Sequence, residues 1–497
     1  MMRKKASALA ALSLLSASVL AQPADEQKAC LRWLLPLPKE VTFLGKTRVA
    51  VGSLRLVLDS NASDSFVTAA DDLRALLKEK AGVDAPAAPE KAFTIRLGLR
   101  GSKVMEGVRG IPDLSGLPNA EQAYAIVPIR ETGERLAGYA LVGQGEPGAY
   151  YAAQTFGQLL EGALHKAKVA DEIELPVVAI RDWPDLGERG FWGSYGPGNA
   201  QDIAFMARRR FNLVETHTPR RFTEGGAYTA AIDPGLMAAA RKHAVKLVPV
   251  ITHLDHLPKS LFEKLPELLA KGEKGKVGEL QAACHAHPAY QKLLNDWMRS
   301  LAEHEGVEDV CAWLSELENC PRCSCDECSR ENWFAGEARL LVRAWQEARK
   351  VEPTLRLRIL LTQGSYSHND LVLKAVPPEV GISYYSGVHT YSVSREPMIY
   401  PLLREFAQGG RWLGVYPQLL AVWAYNTPFS CPQLVQFRAK EFVDAGLKNV
   451  CWRLHPQEWP YFAMNFDAAA EWSWNAKGRS VSEFAEAWAV RQGFKDA

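Results

Sequence analysis

The chain has 497 residues, 47% hydrophobic and 23% charged, proportions typical of a globular protein rather than a disordered or coiled-coil one. Its 58 Lys and Arg against 57 Asp and Glu leave a formal charge of +1, without the basic excess typical of nucleic-acid binding. The length allows two or three domains, because a β/α barrel alone occupies about 250 residues. The 14 Trp and 15 Tyr have flat faces that suit sugar rings, although large cores also use them.

The N-terminal segment has the features of a secretory signal. Arg3-Lys4-Lys5 precedes an apolar run from Ala6 to Leu20, and Ala21 offers a small residue before a cleavage point. This pattern predicts a signal peptide over residues 1–21 and an exported protein, periplasmic or secreted. A retained N-terminal anchor is the alternative. The run is shorter than the roughly 20 residues of a spanning helix, and no later stretch predicts a membrane span.

Residues 34–170 mix short strands with two helices. Leu54–Leu58 alternates with the period of a half-buried strand, whereas Phe66–Lys80 has apolar residues at helical spacing and ends before Gly82. Further predicted strands cover 94–99, 123–129 and 137–142, and a second helix covers 150–160. These elements predict a small α+β domain. We expect a short, stiff link at 175–184 to join it to the rest of the chain.

Residues 180–490 alternate strand-like and helix-like segments. The strand candidates are near-continuous apolar runs, as expected for strands buried on both faces. Eight such strands with intervening helices predict a TIM (β/α)8 barrel. An open doubly wound sheet is the rival fold, but no Gly-rich phosphate loop follows any strand. The predicted strands are 190–193, 212–217, 246–252, 309–314, 356–361, 381–385, 412–416 and 449–453.

Polar and aromatic residues recur directly after these strands. The carboxyl ends of barrel strands converge on one mouth, where such enzymes place their active sites. Their recurrence after nearly every strand predicts a site at this mouth, and the flat faces of the aromatic residues among them make a glycan the expected partner. The predicted substrate-binding residues are His217, His253, Asp255, Tyr384, Tyr385, Trp423 and Trp459.

Two glutamates follow the fourth predicted strand. Glu316 and Glu318 are two positions apart, so they share a face if the strand extends that far. Glycoside hydrolysis commonly uses a protonated carboxyl to donate to the leaving oxygen and a second group to stabilise the cation-like centre. Aromatic walls would keep one Glu protonated by raising its pKa. We predict both as catalytic; the alternative is that one of them is a solvated loop residue or pairs with Arg322 or Arg330.

Four cysteines lie close together just after these glutamates. Their spacing is typical of zinc-thiolate hairpins, although such sites usually join two pairs across a longer loop. Disulfides are the equal alternative in an exported protein. Cys284 and Cys311 are available as an additional ligand or partner. The predicted structural zinc ligands are Cys320, Cys323, Cys325 and Cys328.

Five segments carry a family resemblance. They are Gly148–Leu160, Asp182–Gly190, Phe211–His217, Val248–Val250 with His253 or His256, and Ala468–Asn475. Together they resemble the exo-hexosaminidase group of glycoside hydrolases, family 20 and its relatives, over residues 40 to 490. The run Trp313-Leu314-Ser315-Glu316 with clustered cysteines looks like divergent bacterial-type relatives.

The resemblance implies substrate-assisted, retaining hydrolysis of β-linked N-acetylhexosamines with Glu316 as general acid/base and no catalytic cofactor. It also implies that Arg189 holds sugar hydroxyls. The family normally places Asp before the catalytic Glu to polarise the acetamide, whereas this chain has Ser315. Glu318 or Asp255 is the candidate for that role.

Strand order adds further candidates. Tyr384 or Tyr385 is a candidate to hydrogen-bond the acetamide, and Trp423 and Trp459 are candidates to stack on the sugar. Two other functions stay open, a glycosidase acting on uronic acids and a carbohydrate-binding barrel without catalysis. The sequence does not predict whether cleavage is exo or endo, which hexosamine is recognised, or the oligomeric state.

Overall fold

The computed structural model describes residues 24–494 except residue 60 and residues 84–91, 132–134, 167–171, 193–198, 420–428 and 456–457. The predicted signal peptide and Trp423 therefore lie outside the described residues. No helix in the described part of the chain is long and apolar enough to cross a membrane.

The N-terminal unit is a six-stranded mixed sheet in the order β1-β6-β4-β5-β3-β2. The helices α2 and α3 pack against each other, and α3 also packs on β5 and β6. Its elements are α1 (Ala24–Leu31), β1 (Glu40–Ala50), β2 (Leu54–Leu58), α2 (Asp64–Ala81), β3 (Phe93–Leu99), β4 (Tyr124–Arg130), β5 (Leu136–Gly143), α3 (Glu146–Lys166) and β6 (Glu172–Asp182).

The segment expected to be a link is a strand. β6 pairs with β1 along Glu172–Arg181 but with β4 only over Ile180–Asp182. Pro176 therefore lies where one edge of β6 has no strand neighbour, which is where a strand tolerates proline. On this edge the Tyr139 hydroxyl donates to the Pro176 carbonyl at 2.7 Å and accepts the Val178 N–H at 3.1 Å.

Eight parallel strands then close into a barrel in the order β11-β14-β15-β16-β17-β18-β7-β8, which confirms the predicted fold class. The elements of this unit are β7 (Glu188–Trp192), α4 (Ala200–Ala207), β8 (Leu213–His217), β9 (Arg220–Phe222), β10 (Tyr228–Ala230), α5 (Pro234–Lys242), β11 (Lys246–Ile251), α6 (Lys259–Lys264), β12 (Lys276–Val277), β13 (Leu280–Gln281), α7 (Pro288–Ala302), β14 (Asp309–Trp313), α8 (Trp333–Ala348), β15 (Arg356–Leu361), α9 (Asn369–Ala375), β16 (Gly381–Tyr384), α10 (Gly387–Thr390), α11 (Pro401–Gln408), β17 (Leu413–Val415), α12 (Pro432–Asp444), β18 (Asn449–Arg453), α13 (Ala463–Trp474) and α14 (Val481–Arg491).

Side chains fill the barrel interior in layers, because alternate residues of each strand point inward. At the amino end Arg358 bridges Glu188 and Asp309, each at 2.7 Å. Lys246 lies 3.2 Å from the same two carboxylates. This charged layer closes the bottom of the barrel and leaves the carboxyl end for the site.

A buried polar cluster joins the two units. The Asp182 carboxylate accepts hydrogen bonds from the Tyr124 hydroxyl at 2.6 Å and the Trp474 indole at 2.9 Å. Arg210 forms a fully buried ion pair with it at 3.4 Å. Two of the segments that carry the family resemblance, Asp182–Gly190 and Ala468–Asn475, thus contribute to the contact between the N-terminal sheet and the barrel wall.

Candidate active site

A cavity of about 590 Å³ opens at the carboxyl ends of the barrel strands. Its volume is within the range of about 300–1,000 Å³ usual for small-molecule sites. It is lined by Trp192, His217, Thr252, His253, His256, Trp313, Glu316, Leu317, Leu360, Gln363, Tyr385, Gly387, Tyr391 and Arg453.

Aromatic rings form the inner surface of this cavity. Trp192 and Trp313 are the last inward-facing residues of β7 and β14, and their rings meet edge to face with centroids 5.7 Å apart. The rings of Tyr385 and Trp192 also meet edge to face, with centroids 5.6 Å apart. The indole N–H groups of both tryptophans have no hydrogen-bond partner among the described residues. The cavity therefore offers flat apolar faces, which suit the face of a sugar ring.

Glu316 lies on the rim of the cavity, in the loop that follows β14. Its side chain is 25% exposed, and its Oε2 lies 3.6 Å from the Nε2 of His256. The backbone N–H of Glu316 donates to both oxygens of Asp255 at 3.1 Å. The loop that follows β11 thus holds the backbone of Glu316 while the carboxyl stays accessible from the cavity.

A second buried carboxyl supports the same turn from behind. Glu337 of α8 accepts the Ser315 N–H at 2.9 Å and is also hydrogen-bonded to the Ser315 hydroxyl. Burial raises the pKa of the Glu337 carboxyl to about 8, against the partial opposing effect of these hydrogen bonds. Near neutral pH Glu337 is therefore mostly a neutral acid that ties the residue before Glu316 to α8.

Two histidines of the cavity are neutral at physiological pH. Burial lowers the pKa of both His217 and His253 to about 4. The Nδ1 of His253 lies 2.7 Å from the Leu314 carbonyl, which only accepts, so Nδ1 carries the proton and Nε2 has a free lone pair. The Nε2 of His217 has no hydrogen-bond partner among the described residues. Both rings are thus neutral polar groups at the cavity wall.

Arg453 supplies the positive charge of the cavity. It ends β18, with its guanidinium carbon 6.0 Å from the ring centre of Trp192 and 5.4 Å from that of Tyr391. At these distances the cation interacts favourably with the ring faces. This group can hold a sugar hydroxyl or a carboxylate.

The structure places Glu318 and Asp255 outside the cavity lining. β14 ends at Trp313, so the strand alternation that would align Glu316 with Glu318 has already stopped, and Glu318 is exposed to solvent. Asp255 is 1% exposed and binds the backbone of Glu316 from below. Neither carboxylate lines the cavity from which a substrate acetamide would be polarised.

Three predicted sugar-binding residues also lie elsewhere. Arg189 points away from the barrel interior towards the N-terminal unit, donating to Gln122 at 2.9 Å and to the Arg210 carbonyl at 2.8 Å. The hydroxyl of Tyr384 is hydrogen-bonded at 2.6 Å to the Nδ1 of His389, which is not among the lining residues. Trp459 stacks on Phe205 outside the barrel wall. Their burial and contacts are structural.

Sequence reasoning missed Trp192 and Gln363 as lining residues. Trp192 is two residues after Gly190 on the same inward face, so strand parity could have found it. Gln363 comes two residues after the end of β15, a position that carries no distinct sequence signal.

Four thiols converge in the loops beside the cavity. Cys323, Cys325 and Cys328 are joined by Cys284 rather than by Cys320, and their sulfur atoms all lie within 4.8 Å of one another. Such a group is able to hold a metal ion. Cys320 is buried outside this cluster, so the predicted ligand set changes by one member.

Comparison with known proteins identifies the N-terminal unit. Residues 33–183 match the family model for glycosyl hydrolase family 20, domain 2. This part of the chain is similar to that domain. No curated protein matches the chain.

Solved structures share its fold. The exo β-N-acetylglucosaminidase from Vibrio harveyi, solved with N-acetylglucosamine, has a TM-score of 0.64 at 14% identity, covering 93% of this chain and 77% of that one. The Streptomyces plicatus N-acetyl-β-hexosaminidase has a TM-score of 0.62 at 16% identity, covering 94% and 96%. A family 138 enzyme targeting pectin rhamnogalacturonan II has a TM-score of 0.60 at 12% identity, covering 88% and 53%. At these identities the likeness shows the shared architecture.

Proposed function

We propose that this protein is a glycoside hydrolase acting on β-linked N-acetylhexosamine glycans. The observation that carries the proposal is that Glu316 is the one carboxylate among the described residues lining the aromatic cavity. Residues 193–198 and 420–428, which follow β7 and β17, contain no Asp or Glu in the sequence. Export, expected from residues 1–21, would give the enzyme access to glycans outside the cytoplasm.

In this mechanism the substrate acetamide oxygen attacks the anomeric carbon while the Glu316 carboxyl donates its proton to the leaving oxygen. The Glu316 carboxylate then takes a proton from the water that opens the cyclic intermediate, which restores the acid and retains the configuration. Since the acetamide takes the place of a second carboxylate as nucleophile, one enzyme carboxyl suffices and no cofactor takes part. We assign the donor to the acetamide oxygen to Tyr385, because this residue lines the cavity.

A set of 4-nitrophenyl β-glycosides and paired variants tests the proposal. We expect hydrolysis of an N-acetylhexosaminide, inhibition by an acetamide-mimicking thiazoline, and a loss in kcat of about 10²–10⁴-fold in Glu316→Gln, typical of removing a general acid. Glu318→Gln, two residues away and exposed, is the matched control and should keep wild-type activity. Full activity in Glu316→Gln, or binding of the sugar without hydrolysis by the wild type, would contradict the proposal.

A second candidate function is hydrolysis of a uronic-acid glycoside. The observation that favours it is the position of Arg453 in the cavity, where a guanidinium can bind a sugar carboxylate in bidentate fashion. The fold shared with an enzyme targeting pectin rhamnogalacturonan II also supports it. Cleavage of an aryl uronide that the thiazoline does not inhibit would select this function over the first.

A further inference from the structure

The four-thiol cluster joins two loops of the barrel that are distant in sequence. Cys284 lies just before α7, whereas Cys323, Cys325 and Cys328 lie between β14 and α8. The sulfur of Cys284 is 3.8 Å from that of Cys325 and 3.8 Å from that of Cys328. Three of the four residues are buried, and Cys325 is partly exposed.

These distances match the geometry of a tetrahedral thiolate site. With zinc–sulfur bonds of about 2.3 Å, the edges of a tetrahedron of sulfurs are about 3.8 Å long. The sulfurs of a disulfide are about 2.05 Å apart, and a disulfide joins two residues rather than gathering four around one point. The Lys271 backbone N–H also points at the Cys323 sulfur at 3.3 Å, as a donor that stabilises a thiolate does.

We propose that Cys284, Cys323, Cys325 and Cys328 bind one zinc ion. Each thiol loses its proton to solvent as its sulfur binds the metal, and no group changes its oxidation state. Four protein ligands complete the coordination of zinc and leave no position for water, so the site is structural and takes no part in hydrolysis. The proposal is independent of which glycoside the protein cleaves.

The position of this zinc site gives it a specific structural task. His285 follows the ligand Cys284 and stacks on Trp333 with ring centres 3.5 Å apart. Its Nε2 lies 4.0 Å from Glu337, the carboxyl that binds Ser315. A metal that fixes Cys284 to the loop after β14 therefore holds the residues packed behind Glu316.

The test measures metal and thiols in the full chain, purified without chelator. Inductively coupled plasma mass spectrometry should find one equivalent of zinc per chain in the wild type and in Cys320→Ser. Cys284→Ser should hold less than a tenth of that amount. Cys320→Ser is the matched control, because this buried cysteine belongs to the same sequence run but not to the cluster. Alkylation after denaturation in chelator should modify all nine cysteines of the wild type.

Each alternative has its own result. Zinc kept in Cys284→Ser but lost in Cys320→Ser would overturn the ligand set. Blocked thiols and no stoichiometric metal in the wild type would show disulfides, and one equivalent of iron would overturn the choice of metal. If Cys284→Ser does not fold, cobalt is exchanged into the wild type and its visible spectrum is recorded instead. The visible spectrum of a tetrahedral cobalt-thiolate site is expected, and its absence contradicts the proposal.

Discussion

The buried carboxyl of Glu337, behind the loop that carries Glu316, leads to a quantitative prediction of how stability depends on pH. Glu337 is fully buried, and burial raises its pKa from 4.5 to about 8. In the unfolded chain the same group ionises near its ordinary value. The folded state therefore keeps a proton that the unfolded state loses. Stability is full below pH 4.5 and falls as the pH rises through about 8.

Glu337→Gln removes this titration while keeping the size and the hydrogen-bonding capacity of the neutral acid. Its amide oxygen accepts the Ser315 N–H, and its NH₂ donates to the Ser315 hydroxyl. A shift of one pKa unit corresponds to about 1.36 kcal/mol, so between pH 5 and pH 8 the wild type should lose about 3 to 4 kcal/mol relative to the variant. Below pH 5 the two proteins should be nearly equally stable.

The assay is urea unfolding followed by tryptophan fluorescence, with the wild type and the variant in the same buffers from pH 5 to pH 8. Taking the difference between the two proteins removes the contribution of every other titrating group. Glu347→Gln, on the exposed side of the same helix, is the matched control; its ion pair with Lys350 is at the surface and is worth at most about 1 kcal/mol. A difference for Glu337→Gln that stays flat with pH would refute the reasoning.

Two smaller predictions concern the cavity wall. Tyr385→Phe should lower kcat/KM on an N-acetylhexosaminide by about 2–10-fold, the effect of one neutral hydrogen bond; Tyr384→Phe, whose hydroxyl is bound outside the cavity, should leave it unchanged. His253 is neutral when folded because burial lowers its pKa to about 4, so the wild type should lose stability as the pH falls from 6.5 towards 4. Over that pH range the midpoint of thermal unfolding should fall less in His253→Asn than in the wild type. An equal fall in the two proteins would count against a buried neutral imidazole.

The barrel was predictable because its strands are buried on both faces. Each of the eight apolar runs, such as 246–252 and 449–453, overlaps an observed strand. The strand β6 was missed because Pro176 reads as a break, and only the sheet shows that this proline faces an unpaired edge. The hydrophobic pattern therefore predicts which segments are buried strands. It does not predict where an unpaired strand edge tolerates a proline.

Side-chain direction limited the prediction of the site. Arg189 was expected to bind sugar hydroxyls, but its side chain points out of the barrel. Successive residues of a strand face opposite sides, so the residue between the inward-facing Glu188 and Gly190 must face outward. Glu318 failed because the strand stops at Trp313, five residues too early for the alternation to apply. The cysteine ligands depend on the approach of Cys284 from another loop, which spacing within 320–328 does not contain. All three depend on three-dimensional contacts rather than on residue type.

The residue before Glu316 explains why this site differs from the family pattern. Ser315 is 1% exposed and turns its hydroxyl to Glu337 in the helix layer, not to the cavity. A carboxylate at this position would meet a second buried carboxyl, so the packing behind the loop disfavours Asp here. If the acetamide acts as nucleophile, its N–H must bind a neutral acceptor instead, and the free Nε2 of His253 has that chemistry. A neutral acceptor stabilises the positively charged intermediate less than a carboxylate does. Thiazoline inhibition should therefore be present yet weaker than in relatives that keep the acidic pair.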